Sequence, residues 1–343
     1  MTTEQQDPET APPKRRSIVG GLPSHPRPSV STILEQYGLV IFLILLIVFF
    51  AVWPKTSGTF LTSANIRTTL ENQAVVTIAA LGALIPFIAG QFDLTVGANG
   101  IVATFIVAAL TTKAGVPAGF SCIIAVVAGA IIGAASGIVV AYLRASAIVI
   151  TLGMATLLGG LVILYSKSNS ITGIPTSLIS FGAKNWVGVP RPLWLTLIVL
   201  LLVGYFLRAT VTGRRLLMIG ENPVAATLVG IRTQRLILLA FVLGGALYGV
   251  AGVVLLANTG SASPSDGFSN TFQVLTAVFL GATTVRPGRF NVVGTIVGVL
   301  FIAVSVDGLS LAGASDWVQP VFTGAAVIFA VGASTVFARR RVT

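Results

Sequence analysis

Residues 119–142 read GFSCIIAVVAGAIIGAASGIVVAY, 24 positions without a charged side chain. A helix of about 20 apolar residues crosses the ~30 Å hydrocarbon core of a bilayer. The run is bounded by Pro117 and Arg144, and it carries Gly129, Gly133 and Gly137 at four-residue spacing. In lipid, helices associate through close backbone approach rather than hydrophobic burial, so such a stripe marks a helix contact face. Gly245 with Gly249 and Gly294 with Gly298 repeat the spacing. The alternative use of such stripes is to leave room along a transport pathway.

Reading outward from this run gives about ten apolar segments: 37–53, 72–90, 97–112, 119–142, 147–165, 192–208, 236–257, 271–285, 290–309 and 318–337. The chain of 343 residues is 55% hydrophobic and 9% charged, far from the quarter charged that is typical of a soluble domain. We therefore expect an all-α polytopic membrane protein. Residues 1–35, rich in proline and carrying Lys14, Arg15 and Arg16, read as a disordered cytosolic tail. Residues 36–338 read as the transmembrane domain and 339–343 as a basic cytosolic C-terminus. With ten crossings both termini share one side, and that side collects 15 of the 21 Lys and Arg against 6 on the other. The positive-inside rule makes it cytoplasmic. The net charge of +11 then reflects topology and contact with anionic lipid, not nucleic-acid binding.

Several chemistries are excluded. Cys122 is the single cysteine and His25 the single histidine, which leaves no disulfide framework, Cys-based metal site or histidine-pair haem ligation. No GxxxxGK[ST] segment is present, so ATP-driven work by this chain requires a motor on another subunit.

Five and five spans give halves of opposite topology, the arrangement in which a pathway forms between inverted repeats. Each half contains an interruption: Gly90 to Gly97 in the first, and the short span ending at Arg286, Pro287 and Gly288 in the second. Non-helical backbone persists at membrane depth only where protein or a water-filled cavity satisfies it, so these breaks point to the transport site. Asp93 lies in the first break. It either caps the third span by accepting from amides near Thr95 and Val96, or shapes the inner mouth of the pathway and contacts substrate hydroxyls. Asp307, the other acid within an apolar run, reads as interfacial or structural; as a partner of Asp93 it would be a proton relay. Polarity and position make Phe87, Gln91, Phe92, Thr95, Thr151 and Thr156 candidate pathway residues beside Asp93. The long polar loop 166–190, between Pro175 and Pro190, is the best surface for an extracellular partner, or else an unpartnered cap.

The longest cytoplasmic loop, 209–235, contains GENPVAATLVGI at 220–231. Asn222 followed by Pro223 is an N-cap with proline at the first helical position, and Gly230 supplies a left-handed stop, so a helix of about two turns is expected. Its apolar residues Val224, Ala225, Leu228, Val229 and Ile231 suit either a docking helix for a cytosolic partner or an amphipathic connector on the membrane surface.

This loop resembles the coupling-helix segment of permease subunits of ATP-binding-cassette importers for sugars, the ribose-permease-like group, through Gly220, Asn222, Ala225, Ala226, Gly230 and Ile231. QFDLTVGANG at 91–100 is similar to a second motif of that family through Asp93, Leu94, Val96 and Gly97. Residues 148–175 are similar to a third through Thr151, Leu152, Gly153, Gly173 and Pro175. The resemblance implies a type II importer permease, with Gly220, Glu221, Asn222, Pro223, Ala225, Ala226, Gly230 and Ile231 coupling to ATPase subunits. It also implies a second permease copy or paralogue, a periplasmic or lipid-anchored binding protein, and ATP with Mg on the partner subunits rather than a cofactor here. The expected cargo is a sugar or sugar-like polyol. Branched-chain amino acids, nucleosides and proton-coupled secondary transport are the other readings.

Overall fold

The computed structural model describes residues 30–315 and 317–339. The expected N-terminal tail lies outside them up to residue 29, and the basic end lies outside them from residue 340. Each of the ten apolar segments is helical: α1 (Val30–Val52), α2 (Ser63–Ile88), α3 (Val96–Thr112), α4 (Ala118–Tyr142), α5 (Ala147–Ser166), α7 (Arg191–Ala209), α10 (Thr233–Thr259), α11 (Asp266–Gly281), α12 (Val292–Leu311) and α13 (Val318–Arg339). Six of them, α2, α4, α5, α7, α10 and α12, are long and apolar enough to cross a membrane; Gln36–Val52, α3 and the Thr271–Gly281 part of α11 are shorter apolar stretches. Three connecting helices, α6 (Thr176–Ala183), α8 (Val211–Glu221) and α9 (Pro223–Leu228), and a hairpin of β1 (Asn185–Trp186) and β2 (Val189–Pro190) complete the described elements.

Boundaries shift where polar residues continue a helix past its apolar run. The second segment begins at Ser63 rather than near 72, because Thr62 accepts from Asn65 N at 3.3 Å and Arg67 pairs with Glu71 one turn on at 3.1 Å. The eighth ends at Gly281 rather than 285, where the chain turns through Val285 at φ +63°.

The centre of the bundle is α2 against α10. Every residue from Ala74 to Ile88 is buried, whereas α5 buries 17% of its apolar window and turns Leu157, Leu161 and Leu164 outward. A helix apolar on all sides can be enclosed in this way; one whose outer face meets lipid need not be. The small-residue stripes are contact faces. A Cβ on Gly129 would overlap the Gly245 carbonyl, one on Gly245 the Gly129 carbonyl, and one on Gly133 the Phe241 carbonyl, so α4 and α10 meet backbone to backbone. Gly294 and Gly298 of α12 pack in the same way on Gly281 and Ala277 of α11.

The packing partners fall into corresponding sets. Helix α3 packs on α4 and α5 as α11 packs on α12 and α13, and α10 packs on α3 and α4 as α2 packs on α11 and α12. Contacts between connections also divide by end. At one end Val285 N donates to Gln36 O at 2.9 Å, and the α2–α3 turn approaches α8. At the other Ile171 bridges Ala262, Asn258 donates to Glu71 O at 3.2 Å, and Asn65 donates to Asp307 at 2.7 Å.

Gly245→Ala should cost about 1–3 kcal/mol by overpacking the α4–α10 contact. Gly204→Ala, at a helical position with nothing within 4 Å of the added carbon, should cost nothing. Thermal unfolding of the detergent-solubilised chain distinguishes the two.

Candidate functional site

The first interruption is built from residues 89–95. Helix α2 stops at Gly90 with φ +76°, and the chain crosses to α3 without helical hydrogen bonds. Asp93, fully buried, accepts from Thr95 N at 2.9 Å and Thr95 Oγ1 at 2.7 Å. The carboxylate therefore closes a turn just before α3, whose N-cap is Thr95, and bonds no amide inside the helix. Tyr248 of α10, also fully buried, brings its hydroxyl beside the carboxylate. Two other elements satisfy the break: Thr271 Oγ1 on α11 accepts from Gly97 N at 3.1 Å, and Thr151 Oγ1 on α5 donates to Phe92 O at 3.3 Å.

The candidate pathway residues divide accordingly. Phe87, Asp93, Thr95 and Thr151 are buried in this conformation. Phe92 is half-buried between Phe87 and the end of α11, and Gln91 opens onto the groove described below. Thr156 is not brought to them: it faces outward on α5 and returns its hydroxyl to Leu152 O at 3.0 Å.

Sequence reasoning missed the aromatic partners. Phe87 and Phe92 flank the first break, and Phe279 and Phe290 flank the second. All four rings contact one another, with centroids from 5.1 Å for Phe87–Phe92 to 6.4 Å for Phe92–Phe290. Such ring pairs contribute about 0.5–1.5 kcal/mol each beyond burial. Nothing local in the sequence distinguishes Phe279 or Phe290 from other apolar positions, because the contact exists only once α2, α11 and α12 have packed.

The loop between α7 and α10 holds two helices where one was expected. The foreseen helix is α9: Asn222 Oδ1 accepts from Ala225 N at 2.9 Å, Pro223 is its first residue, and Gly230 follows at φ +81°. Helix α8 precedes it, capped by Thr210, whose Oγ1 accepts from Gly213 N at 3.0 Å, and seated by buried Leu216 and Ile219. Gly213 and Gly220, poor helix formers, obscured it in the sequence. Both are needed for space, since a Cβ on Gly213 would overlap the Phe206 carbonyl and one on Gly220 the Ile88 carbonyl. Within α9, Ala226 is buried, while Val224, Leu228 and Val229 are 68%, 83% and 72% exposed. Three outward apolar side chains on so short a segment leave an uncovered knob. Beside it, α9, the α4–α5 turn and the start of α10 enclose an open groove of about 1010 Å³ lined by Gln91, Arg144, Arg232 and Arg235 among others.

The two membrane carboxylates do not meet. Asp93 is committed to Thr95 at the end where α2 meets α8, and Asp307 to Asn65 at the opposite end. Among the described residues no group of three or more His, Cys, Asp or Glu side chains could hold a metal.

A helical bundle with six helices long and apolar enough to cross a membrane is consistent with a multi-pass membrane permease subunit. Residues 65–331 match the family described as branched-chain amino acid transport system / permease component, and the chain belongs to that family. It is 31% identical to the ribose import permease protein RbsC of Escherichia coli over 303 residues, covering 87% of this chain and 93% of that one. Its identity to the L-arabinose ABC transporter permease protein AraH of Azospirillum brasilense is 28% over 337 residues, 96% of both chains. With the ribose import permease protein RbsC of Bacillus subtilis it shares 30% over 301 residues, 87% of this chain and 92% of the other. No solved structure matches.

Asn222→Ala should release the start of α9 at a cost of about 1 kcal/mol. The expected result is faster backbone hydrogen exchange at 224–229 with α8 unchanged.

Proposed function

We propose that this chain is the membrane-spanning permease subunit of an ATP-driven importer that moves a sugar or sugar-like polyol inward. The observation that carries the reading is the exposed knob of Val224, Leu228 and Val229, held on a capped helix at the end of the bundle where both interrupted segments emerge. A connector lying on the membrane surface would spread its apolar side chains along one long face, whereas here three gather at one short tip, as a docking helix needs. A separate ATPase at this knob would supply the force, and the chain itself performs no covalent chemistry.

Ten crossings in two inverted sets of five fit the corresponding packing of α3 on α4 and α5 with that of α11 on α12 and α13. They also fit the division of connections between the two ends. The 15-to-6 distribution of Lys and Arg supports a topology with the knob and both termini on the cytoplasmic side of a bacterial plasma membrane. A second permease chain facing the outward side of α5, and a binding protein delivering cargo to loop 166–190, complete the assembly.

A polyol cargo suits an interior whose two acids lie at opposite ends, Asp307 held by Asn65 and Asp93 hydrogen-bonded through Oδ1 with its buried Oδ2 left without a partner. A zwitterionic amino acid would require charged partners in the pathway, and a proton relay would require carboxylates within reach of one another. The relatives named for ribose and arabinose import point to pentoses as the first substrates to try.

Ala226 is a poor site at which to test docking, because a charge there would unseat α9 from its own bundle. Leu228→Glu alters the exposed face alone. It should insert and fold normally while losing co-purification of the ATPase and pentose uptake together. Uptake that persists without any ATPase and collapses with an uncoupler would replace this reading with secondary transport.

A further inference from the structure

Gly220 and Glu221 are consecutive residues at the end of α8, and each touches a different interrupted segment. Gly220 lies against the end of α2: an added Cβ would overlap Ile88 O, and the Cβ position of Gly90 is 3.7 Å from Gly220 Cα. Glu221 Oε1 accepts from Arg289 Nη1 at 2.8 Å, reaching the turn between α11 and α12. These are the two segments joined underneath by the Phe87, Phe92, Phe279 and Phe290 rings. Glu221, assigned by resemblance to the ATPase-facing surface, thus directs its carboxylate into its own subunit.

We propose that Gly220, Glu221 and Arg289 form a two-point clamp that makes both interrupted segments follow the coupling loop as one body. The inference rests on the transport reading above and assigns these three as positioning residues within it. The two contacts differ in kind. Gly220 against Ile88 is a steric stop, which transmits a push toward the first break. Glu221 with Arg289 is an ionic tether, which transmits a pull on the second. A displacement of α9 by a docked motor therefore reaches both sides of the aromatic cluster instead of tilting one. Because both partners of the ion pair are about half exposed, it contributes little to folding stability, and its loss should appear in coupling and not in yield.

The test uses the complete transporter reconstituted in vesicles, with pentose uptake and ATP hydrolysis measured on the same sample. Glu221→Lys and Arg289→Glu should each retain the ATPase and elute as folded protein, yet lower the sugar moved per ATP by about two- to fivefold, the scale of an exposed ion pair. The double exchange, Glu221→Lys with Arg289→Glu, should restore most of the ratio, as a requirement for the pair itself demands. Glu221→Gln should give a smaller loss. Single variants that transport at the wild-type ratio overturn the clamp. So does a Glu221→Lys protein that releases the ATPase and is not rescued by Arg289→Glu, because Glu221 would then face the motor. Failure of the unaltered chain to bring down any ATPase overturns the transport reading, and the clamp with it.

Discussion

The chain between Ile88 and Val96 leaves helical geometry inside an otherwise helical bundle, and its polar groups have to be satisfied there. In hydrocarbon each unpaired backbone group costs several kcal/mol, so an interruption survives only with partners at hand. Asp93 and Thr95 close the turn locally, Thr151 reaches the Phe92 carbonyl from α5, and Thr271 receives the Gly97 amide from α11. The break thus ties α5 and α11 to the start of α3 through hydrogen bonds. Its placement fixes where Phe87 and Phe92 sit, and through them where α11 and α12 meet the first half.

The same arrangement explains why the loop between α7 and α10 sits where it does. Helix α8 can approach the end of α2 only because Gly220 has no side chain, and that approach places the next residue within reach of Arg289. A loop seated by Leu216 and Ile219 on one side and presenting Leu228 on the other is rigid where it meets its own subunit and adhesive where it leaves it. Rigid attachment together with an exposed knob is what force transmission from a separate subunit requires.

Much of this was legible in the sequence, because lipid makes the rules simple. Ten apolar runs became ten helices, and the glycine stripes of α4, α10 and α12 became contact faces. The Asn222–Pro223 start of α9 appeared where capping chemistry placed it. What could not be read falls into two kinds. Helix α8 and the first turns of α2 are polar or glycine-bearing, and tertiary contact overrides their weak propensity, as buried Ile219 and the Arg67–Glu71 pair show. The contacts of Phe279, Phe290, Tyr248 and Arg289 join residues far apart in the chain, and no local spacing encodes them.

The central claim is that the coupling loop and both interruptions move together. Hydrogen exchange on the intact transporter, with and without a non-hydrolysable ATP analogue, tests it most directly. Exchange should change in concert at 210–231, 88–96 and 282–291, with the opposite end around 260–265 unaffected. A change confined to 210–231, with both interruptions silent, would contradict the account.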